Sequence, residues 1–143
     1  MHTLGWATLA TGLLLFASGD DAALKKEQKA LQGTWKMISV DTPQGKKDDL
    51  EGATLEFASD GKNLTYTHNG KTQKATYKLN PAGNPKEIDL TIGKDKLLEG
   101  IYQIDKDMLK ICLSAPDAND GRPNEFAVKD GKSYVVITLQ RAK

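Results

Sequence analysis

From residue 35 onward, apolar and polar side chains alternate in short runs, the pattern of strands with one buried and one solvent-facing side. The run 87–92 shows it most clearly, because Ile88, Leu90 and Ile92 are separated by polar residues. Similar runs occupy residues 35–40, 53–58, 63–68, 71–79, 97–104, 108–113, 124–129 and 133–141. The pattern therefore predicts an all-β protein of eight or nine short strands.

Tight turns join most of these runs. Asp60-Gly61 and Asn69-Gly70 are dipeptides typical of two-residue β-hairpins. No helical pattern of a dozen residues separates the runs, so parallel crossover connections are excluded. A long antiparallel meander buries its one apolar face by curling. We therefore expect a small up-and-down antiparallel β-barrel, with a two-sheet sandwich as the alternative.

Two details concern the inside of this barrel. Gly100 interrupts the run 97–104 and predicts a bulge or a bend. A barrel of about eight strands either holds one small molecule or is filled by its own side chains, and large aromatic residues suit both outcomes. The candidate ligand-binding residues of the barrel interior are Trp35, Phe57, Tyr66, Tyr77, Tyr102 and Phe126.

Two different segments precede the first strand. Residues 4–17 are almost wholly apolar and lead into Ala17, Ser18 and Gly19, which is typical of a secretory signal peptide, predicted over residues 1–19. The apolar run is shorter than the roughly 20 residues of a spanning helix, so no stable membrane span is expected after cleavage. Residues 20–32 combine helix-forming residues with a stop at Gly33, which predicts a short entry helix. The barrel domain then covers residues 33–143, in a secreted or periplasmic protein.

The composition of the chain limits the kinds of partner and metal site that it can have. Lysine and arginine number 20 against 19 aspartates and glutamates, a balance that does not favour nucleic acid as a partner. Cys112 is the single cysteine, so an intramolecular disulfide and a cysteine-rich metal site are both excluded. Residues 117–121 resemble part of a calcium loop, but Val128 stands where the loop needs glutamate. We interpret this stretch as a polar turn and predict no metal and no cofactor.

Catalytic groups are scarce. Of the two histidines, His2 lies in the predicted signal peptide and His68 lies on a predicted strand face. The carboxylates Glu56, Asp89 and Glu99 alternate with apolar neighbours, which places them on the outer face or in irregular positions, where they are expected to be solvated. An enzyme needs a positioned acid, base or nucleophile. We therefore predict no catalytic residue and a protein that is not an enzyme.

Gly33-Thr34-Trp35 at the start of the first strand and Arg141 near the end of the last resemble the lipocalin pattern, in which a late arginine covers the tryptophan of Gly-x-Trp. A second resemblance is carried by five segments: 31–36 (Leu-Gln-Gly-Thr-Trp-Lys), 88–91 (Ile-Asp-Leu-Thr), 100–102 (Gly-Ile-Tyr), 109–112 (Leu-Lys-Ile-Cys) and 122–126 (Arg-Pro-Asn-Glu-Phe). Together they are similar to a family of secreted domains of planctomycete-type bacteria. The resemblance covers nearly all of the chain after the signal peptide. It implies a lipocalin-like barrel and export, and it implies no particular activity.

Two functions stay open at this point. The first is an exported binding module that holds a small apolar or amphipathic ligand in the barrel. The second is a filled barrel without a small-molecule ligand, whose loops around 80–86 and 114–122 meet a protein of the cell envelope.

Overall fold

The computed structural model describes residues 21–116 and 119–142. Residues 21–31 form a helix, α1, and the predicted signal peptide lies outside the described residues. Within the described part, nine strands and one 3₁₀ turn, Asp48–Leu50, follow. The strands are β1 (Gly33–Thr42), β2 (Gly45–Lys46), β3 (Thr54–Phe57), β4 (Asn63–His68), β5 (Lys71–Asn80), β6 (Glu87–Ile92), β7 (Lys96–Asp105), β8 (Met108–Leu113) and β9 (Val135–Arg141).

Pairing between β1 and β9 closes the sheet into a barrel. Strands β1 and β3 to β9 pair in chain order, each antiparallel to the next. The closing pair runs from Trp35 opposite Arg141 to Asp41 opposite Val136. The predicted up-and-down antiparallel barrel, preceded by a short helix, is confirmed, with eight strands in the wall and β2 as an extra strand beside β1.

The extra strand is not the one that alternation predicts. Residues 124–129 form no strand, and the ninth strand is the short β2, which forms a hairpin with Asp41 and Thr42. Phe126 and Val128 instead pack their side chains against the outside of the barrel. Their spacing resembles that of strand residues because both contact the same surface, although their backbone pairs with no strand.

Gly100 allows neighbouring strands to approach each other closely and does not form a bulge. The pairing of β7 stays in register where Gly100 lies opposite Ile88 on β6 and Leu113 on β8, so the predicted bulge is wrong. A Cβ atom at Gly100 would lie 2.5 Å from the carbonyl oxygen of Cys112. Only glycine therefore fits this position without a shift of β8. The register shift of the barrel lies in β1, between Met37 and Ser39.

Parts of β7 and β8 are buried on both faces. Tyr102 and Ile111 face the main core inside the barrel, whereas Ile101 and Cys112 face a smaller outer cluster that includes Phe126. This double burial explains why the sequence of these strands reads as nearly continuous apolar runs. Burial raises the pKa of the Cys112 thiol, which keeps it protonated and suits a packing role.

Arg122 fastens the long β8–β9 connection to the barrel wall. Its guanidinium forms ion pairs with three outward-facing carboxylates. The shortest joins Nη1 of Arg122 to Oδ1 of Asp89, at 2.8 Å. Arg122 also donates a hydrogen bond of 2.9 Å to the carbonyl oxygen of Gly100. The carboxylates of this cluster are Glu87, Asp89 and Glu99. Asp89 and Glu99 therefore lie on the outer face as predicted, where they hold a loop in place.

In the described part of the chain, no helix is both long enough and apolar enough to cross a membrane.

Candidate functional site

The two ends of the barrel are covered differently. At one end, here called the closed end, α1 lies against the interior and Leu31 is fully buried in the main core. Gln28 of α1 donates a hydrogen bond of 3.2 Å to the carbonyl oxygen of Gly61 in the β3–β4 turn. The opposite end, here called the open end, carries the 3₁₀ turn Asp48–Leu50 and the start of β9. The fold thus seals one end with a helix, whereas the other end carries turns and both ends of the long connection between β8 and β9.

Trp35 fills the closed end. Its indole Nε1 donates a hydrogen bond of 2.8 Å to the carbonyl oxygen of Leu31. The Arg141 guanidinium carbon lies 4.2 Å from the centroid of the Trp35 rings, close enough for a cation–π interaction. Arg141 also donates hydrogen bonds to the carbonyl oxygens of Ala30 (2.7 Å) and Gln32 (3.0 Å), which the end of α1 leaves unpaired. Arg141 therefore covers Trp35, as the lipocalin resemblance implies, and ties α1 to β9.

Glu27 joins α1 to the barrel interior. The hydroxyl of Tyr102 donates a hydrogen bond of 2.8 Å to Oε1 of Glu27, and Nζ of Lys86 lies 3.1 Å from the same oxygen. Burial, and to a lesser extent the neighbouring Glu27 carboxylate, raises the pKa of the Tyr102 hydroxyl well above its ordinary value. Tyr102 therefore stays protonated and acts as a donor to the helix.

Two further rings complete the packing of this part of the interior. Phe57 and Tyr77 meet edge to face, with ring centroids 5.0 Å apart and ring planes at 86°. The Tyr77 hydroxyl is buried and has no hydrogen-bond partner among the described residues. Burial, and to a lesser extent the charge of Asp60, raises its pKa. We call the region around Trp35, Phe57, Tyr77 and Tyr102 the closed half of the barrel.

A cavity of about 250 Å³ occupies the other part of the interior, here called the open half. It is larger than a cavity of about 150 Å³ that admits benzene and slightly smaller than typical ligand pockets of roughly 300–1,000 Å³. Fifteen residues line it, and all except Tyr66 and Gln73 are apolar. They are Met37, Val40, Leu50, Leu55, Leu64, Tyr66, Gln73, Ala75, Leu90, Ile92, Leu98, Ile111, Leu113, Val135 and Ile137.

Only Tyr66 of the six predicted ligand-binding residues lines this cavity. Phe126 is not in the barrel interior at all: it packs in the outer cluster, so its predicted position is wrong. Its alternation with Val128 gave it the appearance of an inward strand residue. The remaining four pack in the closed half, and they are Trp35, Phe57, Tyr77 and Tyr102.

The aliphatic residues that line the cavity are absent from the predicted site residues because the prediction favoured large rings. Most of them lie at the open-end half of their strands, as Ile92 does at the end of β6 and Val135 does at the start of β9. Antiparallel order combined with Trp35 at the closed end was sufficient to place these residues together. The direction of each strand, rather than the type of residue, is therefore the sequence feature that indicates which residues line the cavity.

The 3₁₀ turn contributes one wall of the cavity. Leu50 lines it, and the preceding residue, Asp49, accepts a hydrogen bond from Nε2 of His68 through its backbone carbonyl, with the two atoms 2.7 Å apart. The His68 ring lies beside that of Tyr66, with centroids 6.3 Å apart. His68 therefore fixes the turn that places Leu50 at the cavity.

The lining offers little reactive chemistry. Tyr66 is its one titratable side chain, and burial, followed by the charge of Asp49, raises the pKa of its hydroxyl. In residues 21–116 and 119–142, no three His, Cys, Asp or Glu side chains are grouped so that they could hold a metal ion. The arrangement is suited to contact with an apolar molecule.

Comparisons of this chain with models of known protein families, with curated proteins and with solved structures found no match.

Proposed function

We propose that the protein is an exported, non-enzymatic binding module that takes a small apolar or amphipathic molecule into the open half of its barrel. The observation that carries this proposal is the cavity of about 250 Å³ with its apolar lining. Apolar cavities gain little from water, whereas an apolar guest restores the van der Waals contacts that the lining side chains lack.

The position of the cavity supports the same function. The closed half and α1 block one end of the barrel, whereas Gln73 at the cavity is exposed to solvent. A ligand therefore enters from the open end, and its arrival leaves the contacts of Trp35 and Arg141 undisturbed. Such a division lets one half of the interior hold the fold together while the other half binds.

Export is the second part of the proposal. It rests on the apolar residues 4–17 and the small residues that follow them. Amino-terminal sequencing of the protein recovered from the periplasm or the medium is expected to begin near Gly19 or at Ala22 or Ala23. An exported protein that still begins with Met1 would contradict a cleaved signal peptide.

The alternative function, a filled barrel that contacts an envelope protein, is favoured by one observation. Four buried aromatic side chains pack in the closed half, which supports a role for that half in the stability of the barrel. The two proposals differ in what they predict for the open half, because only the first requires that a small molecule can occupy it.

Titration of the purified exported protein with toluene, followed by calorimetry or NMR, tests the binding proposal. We expect the wild type to bind toluene with a Kd on the order of 1 mM or tighter, which corresponds to about 4 kcal/mol of binding free energy. Leu98→Phe places a ring in the cavity and is expected to weaken binding at least tenfold. Leu97→Phe is the matched control, because Leu97 precedes Leu98 on β7 but is exposed. Absence of binding of toluene and of small amphiphiles such as 1-octanol and octanoate to the wild type would overturn the proposal.

A further inference from the structure

We infer that the cavity selects neutral amphiphiles of about ten heavy atoms over carboxylates of the same length, with the ligand's hydroxyl or carbonyl group placed at Tyr66 and Gln73. This inference rests on the proposed function and adds to it the chemical class of the ligand. Its basis is the position of the two polar side chains, the charge beside them and the volume of the cavity.

Tyr66 and Gln73 form one polar patch in an otherwise apolar lining. They lie directly opposite each other on the adjacent strands β4 and β5, so their side chains stand next to each other on the inner face. A phenol both donates and accepts a hydrogen bond, and a carboxamide offers donors and an acceptor. Together they match a hydroxyl, aldehyde, ketone or amide group, each of which is uncharged.

The patch lies at the mouth of the cavity. Gln73 is exposed and Tyr66 is half-buried, whereas Leu55 and Ile111 on the cavity wall are buried. A bound amphiphile would therefore place its polar group toward solvent at the patch and its apolar body toward the buried wall. A ligand without a polar group would fill the same space but leave the patch unused.

An acidic residue, Asp49, lies beside the patch. Its backbone carbonyl accepts a hydrogen bond from His68, whose ring centroid lies 6.3 Å from that of Tyr66. Burial, followed by the charge of Asp49, raises the pKa of the Tyr66 hydroxyl. No lysine or arginine is among the described residues that line the cavity. A ligand carboxylate at the patch would therefore lose water and meet a like charge without a cation to pair with it.

Lys71 and Lys96 are the cations to consider as competing partners. Lys71 lies two residues before Gln73 on β5, and Lys96 lies opposite Ile92 at the start of β7, but both are exposed and neither lines the cavity. A carboxylate that paired with either lysine would remain in water, where such pairs contribute little. Its apolar body would then be drawn out of the cavity.

The cavity volume sets the size of the ligand. If benzene, with six heavy atoms, fits a cavity of about 150 Å³, proportional scaling gives about ten heavy atoms for 250 Å³. 1-Octanol and octanoate have nine and ten heavy atoms, so they are matched in length and differ in the charge of the head group. Long-chain fatty acids exceed this volume.

The test compares three probes, 1-octanol, octanoate and toluene, by calorimetry at pH 8 on the wild type, Tyr66→Phe and Gln73→Leu. We expect the wild type to bind 1-octanol at least tenfold more tightly than octanoate. Loss of one hydrogen bond in Tyr66→Phe is expected to weaken 1-octanol binding about fivefold. Gln73→Leu is expected to act in the same direction, and toluene binding is expected to stay within twofold in both variants.

The outcomes separate this inference from the proposed function. Binding of toluene together with equal or tighter binding of octanoate would overturn the inference and leave the proposed function standing. An unchanged affinity for 1-octanol in both variants would do the same. Failure of all three probes to bind the wild type would overturn the proposed function and the inference with it. Thermal unfolding of each variant shows that a loss of binding does not come from a loss of fold.

Discussion

The two halves of the barrel interior differ in the side chains that fill them. In the closed half, Trp35 is fully buried and its indole nitrogen is hydrogen-bonded to α1. In the open half, aliphatic side chains such as Leu98 and Ile137 surround a cavity of about 250 Å³. Large aromatic residues in this barrel therefore mark the part that is sealed, and smaller aliphatic residues mark the part that has room for a ligand.

The polar contacts follow the same division. Arg141, Glu27 and Gln28 each join α1 to the barrel at the closed end. The open half offers the patch of Tyr66 and Gln73 instead. The contacts that join α1 to the barrel are therefore concentrated at the closed end, and we propose that a ligand binds at the other.

The largest effect that tests this division is expected for Trp35→Ala. Truncation of a fully buried aromatic residue costs about 3–5 kcal/mol in the free energy of unfolding, measured by urea denaturation. Tyr66→Ala in the open half is the comparison, and we expect it to cost less than half as much because Tyr66 is half-buried beside a cavity. A loss below about 1 kcal/mol for Trp35→Ala would show that Trp35 is not part of the core.

Arg141→Met is expected to have the next largest effect. It removes the cation–π contact with Trp35 and two hydrogen bonds to the carbonyl oxygens at the end of α1. Because the side chain is about one-third exposed, we expect a loss of roughly 2–3 kcal/mol in the free energy of unfolding. Arg141→Lys keeps the charge but loses the forked geometry, so it should restore only part of this stability. Equal stability of Arg141→Met and the wild type would mean that α1 is held by other contacts.

Replacing a leucine by phenylalanine in each half of the interior compares the space available in the two halves. Leu109 is fully buried in the main core and does not line the cavity, whereas Leu98 does. Leu109→Phe is expected to cost about 1–2 kcal/mol through overpacking, and Leu98→Phe to change stability by less than about 1 kcal/mol. Urea denaturation of the two variants measures the difference. A larger loss for Leu98→Phe would show that the open half has no space to fill.

The smallest expected effect is the dependence of stability on alkaline pH. Burial and Glu27 raise the pKa of Tyr102 in the folded protein above its unfolded value of 10.0. The folded state therefore holds this proton more tightly, so its contribution is complete below pH 10 and is lost as the pH rises above that value. The slope for one such group is at most about 1.4 kcal/mol per pH unit.

Tyr102→Phe isolates this contribution from that of the lysines, which titrate in the same range. The variant is expected to show a shallower decline of stability between pH 10 and pH 11.5 than the wild type, measured by urea denaturation at each pH. Parallel declines would show that the Tyr102 hydroxyl ionises as readily in the folded protein as in the unfolded one.

The barrel could be predicted from the sequence because its signals are local. Alternation around Ile88, Leu90 and Ile92 and the turn dipeptides at Gly61 and Gly70 each depend on neighbouring residues. The prediction failed at residues 124–129, where Phe126 and Val128 alternate like strand residues but pack on the outer surface of β7, β8 and β9. Which side of a wall a residue covers depends on long-range packing, which alternation does not encode.

The candidate site was harder to predict than the fold. The aromatic residues of the interior were identified, yet whether a ring fills the barrel or lines a cavity depends on the end at which it lies. Tyr102 is within reach of Glu27, 75 positions earlier in the chain, and that contact places it in the closed half. The Asp49–His68 contact that positions Leu50 joins residues 19 positions apart. Neither contact has a signature in the sequence.

The location of xenon in crystals of the protein pressurised with the gas distinguishes the two halves most directly, because xenon enters empty apolar cavities. We expect an anomalous-scattering peak among Tyr66, Leu98 and Ile137, and none among Trp35, Phe57 and Tyr102. Absence of a peak in the open half, or a peak in the closed half, would contradict the division of the barrel into a packed half and a binding half.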